Sequence, residues 1–214
     1  MPSGGAKMAP MGISLKRGRA PARMALAALA AVCAGCASMQ ARDPHPRVRL
    51  ETTQGDITLE LDRQHAPATV DNFLAYVAEH RYDGTVFHRV LAGFVVQGGG
   101  YDAQLHDRPR HAPIRLESAN GLHNLRGSVA MARDEAPDSA DCEFYINLVD
   151  NLKLDPHPDI PGREHGYAVF GHVVAGLDAV DRIAAVPVHT VDGAAGVPVR
   201  PVLIRRAELL PVRR

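Results

Sequence analysis

The chain has 214 residues, is 46% apolar and 22% charged, and its 24 basic side chains balance 24 acidic ones, which is ordinary for one globular domain with a sizeable core. The charge is unevenly placed. The first 35 residues carry Lys7, Lys16, Arg17, Arg19 and Arg23 and no acid, leaving 19 basic against 24 acidic side chains elsewhere; such a mildly acidic remainder offers no electrostatic footprint for nucleic acid.

A basic region ending at Arg23 precedes an apolar run from Met24 to Gly35. That run is shorter than the ~20 residues a membrane-spanning helix needs, but it suits the core of a signal peptide. Cys33-Ala34-Gly35-Cys36-Ala37-Ser38 follows, which resembles a bacterial lipoprotein signal in which small residues precede a lipidated Cys, although Cys33 stands where an aliphatic residue is usual. Two readings stay open: lipidation of Cys36, or ordinary secretion with cleavage at nearby small residues. No adjacent Arg pair marks a twin-arginine signal. Met8, Met11 and Met24 are alternative starts. Residues 1–35 are thus expected to be a signal peptide, 36–46 a polar tether and 47–212 the folded domain. The product would be exported to the bacterial periplasm and, if Cys36 is acylated, held on a membrane. Two of the three Cys lie in the signal region, so no intramolecular disulfide is expected; Cys142 reads as a small space-filling residue rather than a nucleophile.

Arg47 to Thr53 and Ile57 to Leu61 read as strands joined at Gln54-Gly55-Asp56. Pro67 opens a helix at a position where its missing N–H is harmless, and Val70, Phe73, Leu74 and Val77 mark one buried stripe. Val86 to Leu91 and Phe94 to Val96 are β-branched and aromatic, with a corner at Ala92-Gly93 and a glycine run at 98–100 that lets the backbone leave the sheet at positive φ. Period-2 counting puts Arg89 and Leu91 on one face, His88 and Val90 on the other. Tyr101 to Asn124 is loop-like. Further strands are expected at Gly127 to Met131, Phe144 to Leu148, Tyr167 to Val174 and Val202 to Leu209. A charged loop covers Arg133 to Asp141, an irregular excursion Asp155 to Gly166, and a short helix Leu177 to Ile183. The 11 His show neither a Cys partner pattern nor H-E-x-x-H, so no metal and no cofactor is expected.

The stretch Phe87-His88-Arg89 … Gly93-Phe94 … Gln97-Gly98-Gly99 resembles the signature of the cyclophilin-type peptidyl-prolyl isomerases, and carries every fixed position of it. Gly84-Thr85, Gly127 to Ala132, Glu143-Phe144-Tyr145-Ile146, Leu154-Asp155 and Val169-Phe170-Gly171 extend the resemblance in order, from about Arg47 to Pro211. It implies a mainly β fold, a closed eight-stranded antiparallel barrel capped by two α-helices, and a monomer acting on proline-containing unfolded or flexible polypeptides.

It also implies roles. Arg89 would donate a hydrogen bond to the prolyl nitrogen of a twisted amide, a step that needs no nucleophile, metal or cofactor. Phe94, Tyr145 and Leu154 would wall the proline pocket, with Val95 at its rim. Gln97 would hold the substrate backbone and Arg89, while Ala132 and Arg133 would meet the residue before the proline. Four positions depart from the family. Its rim Trp falls at Lys153, its rim His at Tyr167, and its Gln at Glu143, which would lie beside Arg89 and pair with it, so that Glu143→Gln would be tolerated. That Gln opens the family's Gln-Phe-Phe stretch, whose second aromatic is here Tyr145, with a hydroxyl that needs a partner if buried. A non-catalytic proline-binding or chaperone module is the alternative on the same scaffold.

Overall fold

The structure is a computed structural model that describes residues 43–212; the expected signal peptide, Cys36 and most of the expected tether lie outside the described residues. Eight strands form one antiparallel sheet: β1 (Arg47–Thr52), β2 (Gly55–Leu61), β3 (Arg89–Leu91), β4 (Val95–Gly98), β5 (Ser128–Met131), β6 (Phe144–Asn147), β7 (Val169–Ala175) and β10 (Ile204–Leu209), ordered β10-β1-β2-β7-β5-β6-β4-β3. Among the described residues there are two α-helices, α1 (Pro67–Ala78) and α2 (Leu177–Ala184). The expected strands and helices are therefore all in place, with ends shifted by up to three residues.

The closed barrel is not. The sheet curls, helped by register shifts at Glu51/Thr52, Thr58/Leu59 and Val129/Ala130, but β3 and β10 share no ladder. An isolated bridge between Val86 and Leu203 spans the gap instead, beside bonds from Phe87 N to Val202 O (2.9 Å), Ile204 N to Thr85 O (2.8 Å) and Gly84 N to Ile204 O (2.8 Å). Period-2 reading of Val86 to Leu91 predicts one strand of six. In the structure Val86 N instead donates to Tyr101 O, and the ladder starts only at Arg89. A second sheet was not foreseen: β8 (Val188–Val191) pairs with β9 (Ala194–Pro198) across Asp192-Gly193, both at positive φ. An Asp-Gly pair is the usual two-residue hairpin turn, so its signal was there.

Alternation on β4 to β7 builds two apolar layers. Val96, Val129, Met131, Phe144, Ile146 and Phe170 enter the main core, where Phe73 of α1 lies 4.9 Å from the Tyr82 ring, 5.4 Å from Phe144 and 5.2 Å from Phe170. Val95, Ala130, Tyr145 and Val169 face the other way into a small separate cluster with Phe94, Leu122, Ala132, Leu154 and Tyr167. α1 has no side-chain cap of its own; the Glu117 carboxylate accepts from Ala68 N (3.1 Å), Thr69 N (2.8 Å) and Thr69 Oγ1 (2.7 Å), an anion at the positive end of the helix. That bond ties the long 101–124 segment to the core. Cys142 is buried in the main core, and burial first, then Asp141, pushes its thiol up to about 12, which suits a packing role.

Candidate active site

Strand register sets the site as one row across the sheet. Arg89 on β3 pairs with Gln97 on β4, Gln97 with Tyr145 on β6, Tyr145 with Ala130 on β5, and Ala130 with Val169 on β7. Cross-strand partners share a face, so the polar end of the row, Arg89 and Gln97, meets the second apolar cluster directly. Between them lies a cavity of about 330 Å³ lined by Arg89, Phe94, Val95, Gln97, Ala132, Arg133, Tyr145, Leu154 and Tyr167. The pocket residues named from sequence therefore converge, except Glu143 and Lys153. Lys153 is exposed, with Nζ 4.5 Å from the centre of the Phe94 ring, a cation laid on the outer edge of the wall.

Arg89 Nη1 donates to Gln97 Oε1 at 3.2 Å, and among the described residues no carboxylate pairs with the guanidinium. The expected Glu143–Arg89 pair is thus corrected: the Glu143 carboxylate accepts from Gln97 Nε2 (2.8 Å) and Arg110 Nη2 (2.9 Å) and lies 3.3 Å from His88 Nε2. β6 begins one residue after Glu143, so period-2 counting does not extend to it. Burial pushes this carboxyl up, but His88, Gln97 and Arg110 outweigh it and hold it at about 2. His88, placed opposite Arg89 by counting, reaches the same cluster because it precedes the ladder. Only Gly99 of the glycine run has positive φ (+96); at Gly100 a Cβ would meet Glu143 Oε1 at 2.5 Å, so that glycine makes room for the carboxylate.

The back wall is a buried polar network with no sequence signal of its own. Tyr145 Oη donates to Asn124 Oδ1 at 2.9 Å, which meets the need foreseen for a buried tyrosine. Asn124 N and Nδ2 donate to Asp155 Oδ1 at 2.8 and 2.9 Å, and Asn147 Nδ2 reaches Asn124 Oδ1 at 3.1 Å. Asn151 Nδ2 donates to Phe94 O at 3.0 Å and fixes the corner that aims Phe94. On the far rim the Arg133 guanidinium lies 4.9 Å over the Tyr167 ring, and Tyr167 packs edge-on against Tyr145 at 5.8 Å.

The excursion between Leu154 and Tyr167 is closed by Tyr167 N donating to Leu154 O (3.0 Å) and His157 N to Arg163 O (2.8 Å). Gly166 sits at φ +54, and a Cβ there would collide with the backbone of Asp155 and Pro156. Gly166→Ala is expected to cost about 1–3 kcal/mol of stability and to raise KM, because Leu154 and Tyr167 flank that junction. Thermal unfolding and KM check it; wild-type values for both would show that the junction yields freely.

The profile of the family described as cyclophilin type peptidyl-prolyl cis-trans isomerase/CLD matches residues 47–209. A peptidyl-prolyl cis-trans isomerase of Streptomyces antibioticus is 47% identical over 163 residues, covering 76% of this chain and 98% of that one. Peptidyl-prolyl cis-trans isomerase A of Dickeya dadantii is 44% identical over 163 residues, covering 76% and 84%. The chain belongs to the cyclophilin-type peptidyl-prolyl isomerases. Its activity is isomerisation of peptidyl-prolyl bonds. The fold agrees: a Cryptosporidium parvum cyclophilin superposes with a TM-score of 0.63 at 23% identity, covering 79% of this chain and 99% of its own. The same parasite protein, solved in the presence of the dipeptide Ala-Pro, gives 0.61. Within this cyclophilin, Arg110, Asn124, Asp155 and His88 are site residues that sequence reasoning missed.

Proposed function

We propose that this cyclophilin accelerates X–Pro isomerisation in exported proteins as a monomer, with Arg89 as the hydrogen-bond donor, and that a lipid on Cys36 holds it to a membrane in the bacterial periplasm. The observation that carries the chemical part is an Arg89 with free donors at the mouth of an apolar cavity. Amide resonance holds the X–Pro bond planar behind about 18–20 kcal/mol. At the twisted transition state the prolyl nitrogen regains its lone pair, and a donor aimed at it binds that state better than the ground state. Phe94, Tyr145 and Leu154 grip the proline ring, Ala132 and Arg133 meet the preceding residue, and Gln97 keeps Arg89 in place. That a Cryptosporidium cyclophilin of this fold was solved in the presence of the dipeptide Ala-Pro is in keeping with a proline-containing ligand.

The export part rests on the basic region, apolar run and small residues before Cys36. Expressed in a bacterium as the full chain, the protein is expected to partition with membranes, and Cys36→Ser to move it to the soluble fraction. A mature N-terminus elsewhere and unmodified, read by mass spectrometry, would refute lipidation. An isomerisation assay on proline peptides with the purified protein tests the enzyme itself.

A further inference from the structure

Arg110 lies outside the proline cavity, yet it is clamped with unusual thoroughness. Its Nη2 donates to Asp107 Oδ1 (2.8 Å) and Glu143 Oε1 (2.9 Å), its Nη1 lies 3.2 Å from both oxygens of Asp141, and its guanidinium carbon stands 5.7 Å over the Tyr101 ring. The other oxygen of Glu143 accepts from Gln97 Nε2, and Gln97 Oε1 accepts from Arg89. A chain of bonds therefore runs from Arg110 through Glu143 and Gln97 to Arg89.

Direction matters along this chain. An ionised carboxylate only accepts, whereas an amide has one accepting and one donating end. Facing Glu143, Gln97 must present its NH2, which leaves its carbonyl for Arg89. The reverse orientation would set a carbonyl against a carboxylate and an NH2 against a guanidinium, two repulsive contacts. We infer that Arg110 is a positioning residue for isomerisation: by holding the Glu143 carboxylate against Gln97, it turns the Gln97 carbonyl toward Arg89 and fixes the guanidinium at the cavity mouth. The inference rests on Arg89 as the donor.

It reverses the expectation for Glu143→Gln. With Arg110 in place, the new carboxamide must turn its oxygen to Arg110 and its NH2 to Gln97. Gln97 then flips and offers its own NH2 to Arg89. His88 Nε2 must then accept from the carboxamide NH2, which puts the ring proton on Nδ1, a buried nitrogen with no partner among the described residues, and adds to the cost of Glu143→Gln. Removing Arg110 as well frees the carboxamide to rotate back.

The test measures kcat and KM on proline peptides for Glu143→Gln, Arg110→Met and the double variant, with thermal unfolding to confirm that each is folded. Glu143→Gln is expected to lose about tenfold, mainly in kcat, a fraction of what losing the donor outright costs. The double variant should regain about threefold or more, a non-additivity that a merely structural role would not produce. Glu143→Gln at wild-type activity, or a double variant no better than Glu143→Gln, overturns the inference. Glu143→Gln in an Arg89→Ala background separates the two readings: if Arg89→Ala alone keeps full turnover, the donor assignment fails. If Arg89→Ala is impaired and Glu143→Gln still costs tenfold on top of it, the positioning role fails instead.

Discussion

Arg89→Ala is expected to lower kcat/KM by at least about 10²-fold, the scale of losing one transition-state donor, while the protein stays folded. Arg89 sits on the edge strand β3, is half-buried, and its side chain makes one hydrogen bond among the described residues, to Gln97. Losing that bond costs about 1 kcal/mol or less of stability, because Gln97 still has Glu143 as its partner. The chemistry depends on Arg89 far more. A gain of ~10⁵ in rate corresponds to roughly 7 kcal/mol, and a single donor supplies about 3–4 of that; orientation in the apolar cavity supplies the rest. Arg89→Lys keeps the charge but not the planar fork, so it should fall between wild type and alanine. Peptide isomerisation rates and thermal unfolding, measured on the same samples, check both halves. Turnover near wild type in Arg89→Ala would remove Arg89 from the mechanism.

The proline cavity was legible through the resemblance, and the alternation of β4, β5 and β6 gives the physical reason its members share a face. Once Val96, Val129 and Ile146 are given to one core, Val95, Ala130 and Tyr145 must face the other way. Periodicity gives a face, however, and neither a distance nor a partner. It could state that Tyr145 needed a hydrogen-bond acceptor but not that Asn124, in a loop 21 residues upstream, would be it. The resemblance placed Glu143 beside Arg89, yet Arg110 takes the carboxylate from a segment with no repeat to read. The β8–β9 hairpin went unread for a different reason: Val188 to Thr190 are exposed, so the strand has no buried face to alternate with. Counting eight strands also says nothing about closure, which depends on whether β3 and β10 are long enough to pair. β3 has 3 residues, and its neighbours at Thr85 to Phe87 make single contacts instead.

Asp155→Ala is expected to destabilise the domain by about 2–5 kcal/mol, since it strips a buried acceptor from two donors at ~1–3 kcal/mol each. Those donors are Asn124 N and Nδ2, and Asn124 is fully buried. Against a typical total of ~5–15 kcal/mol this is a large share. The damage should reach activity, because Asn124 in turn receives the Tyr145 hydroxyl and its carbonyl accepts from Asn151 N at 2.7 Å, the residue that holds Phe94. KM for proline peptides should therefore rise in whatever fraction remains folded. Asp155→Asn keeps one accepting oxygen for Asn124 and should cost less. The charge adds a pH signature. Burial pushes the Asp155 carboxyl up, but bonds from Asn124 and His123 outweigh it and hold the group below the usual carboxylate range. A carboxyl depressed in the folded state stabilises the protein above its unfolded pKa, and that stabilisation fades as pH falls through the folded pKa. The stability gap between wild type and Asp155→Ala should thus be full near neutrality and narrow below about pH 4. Urea unfolding at pH 7 and at pH 3 to 4 measures it. A gap under about 1 kcal/mol at pH 7 would show that Asn124 finds another partner, and a gap that stays constant on acidification would show that the hydrogen bonds, not the charge, hold the wall.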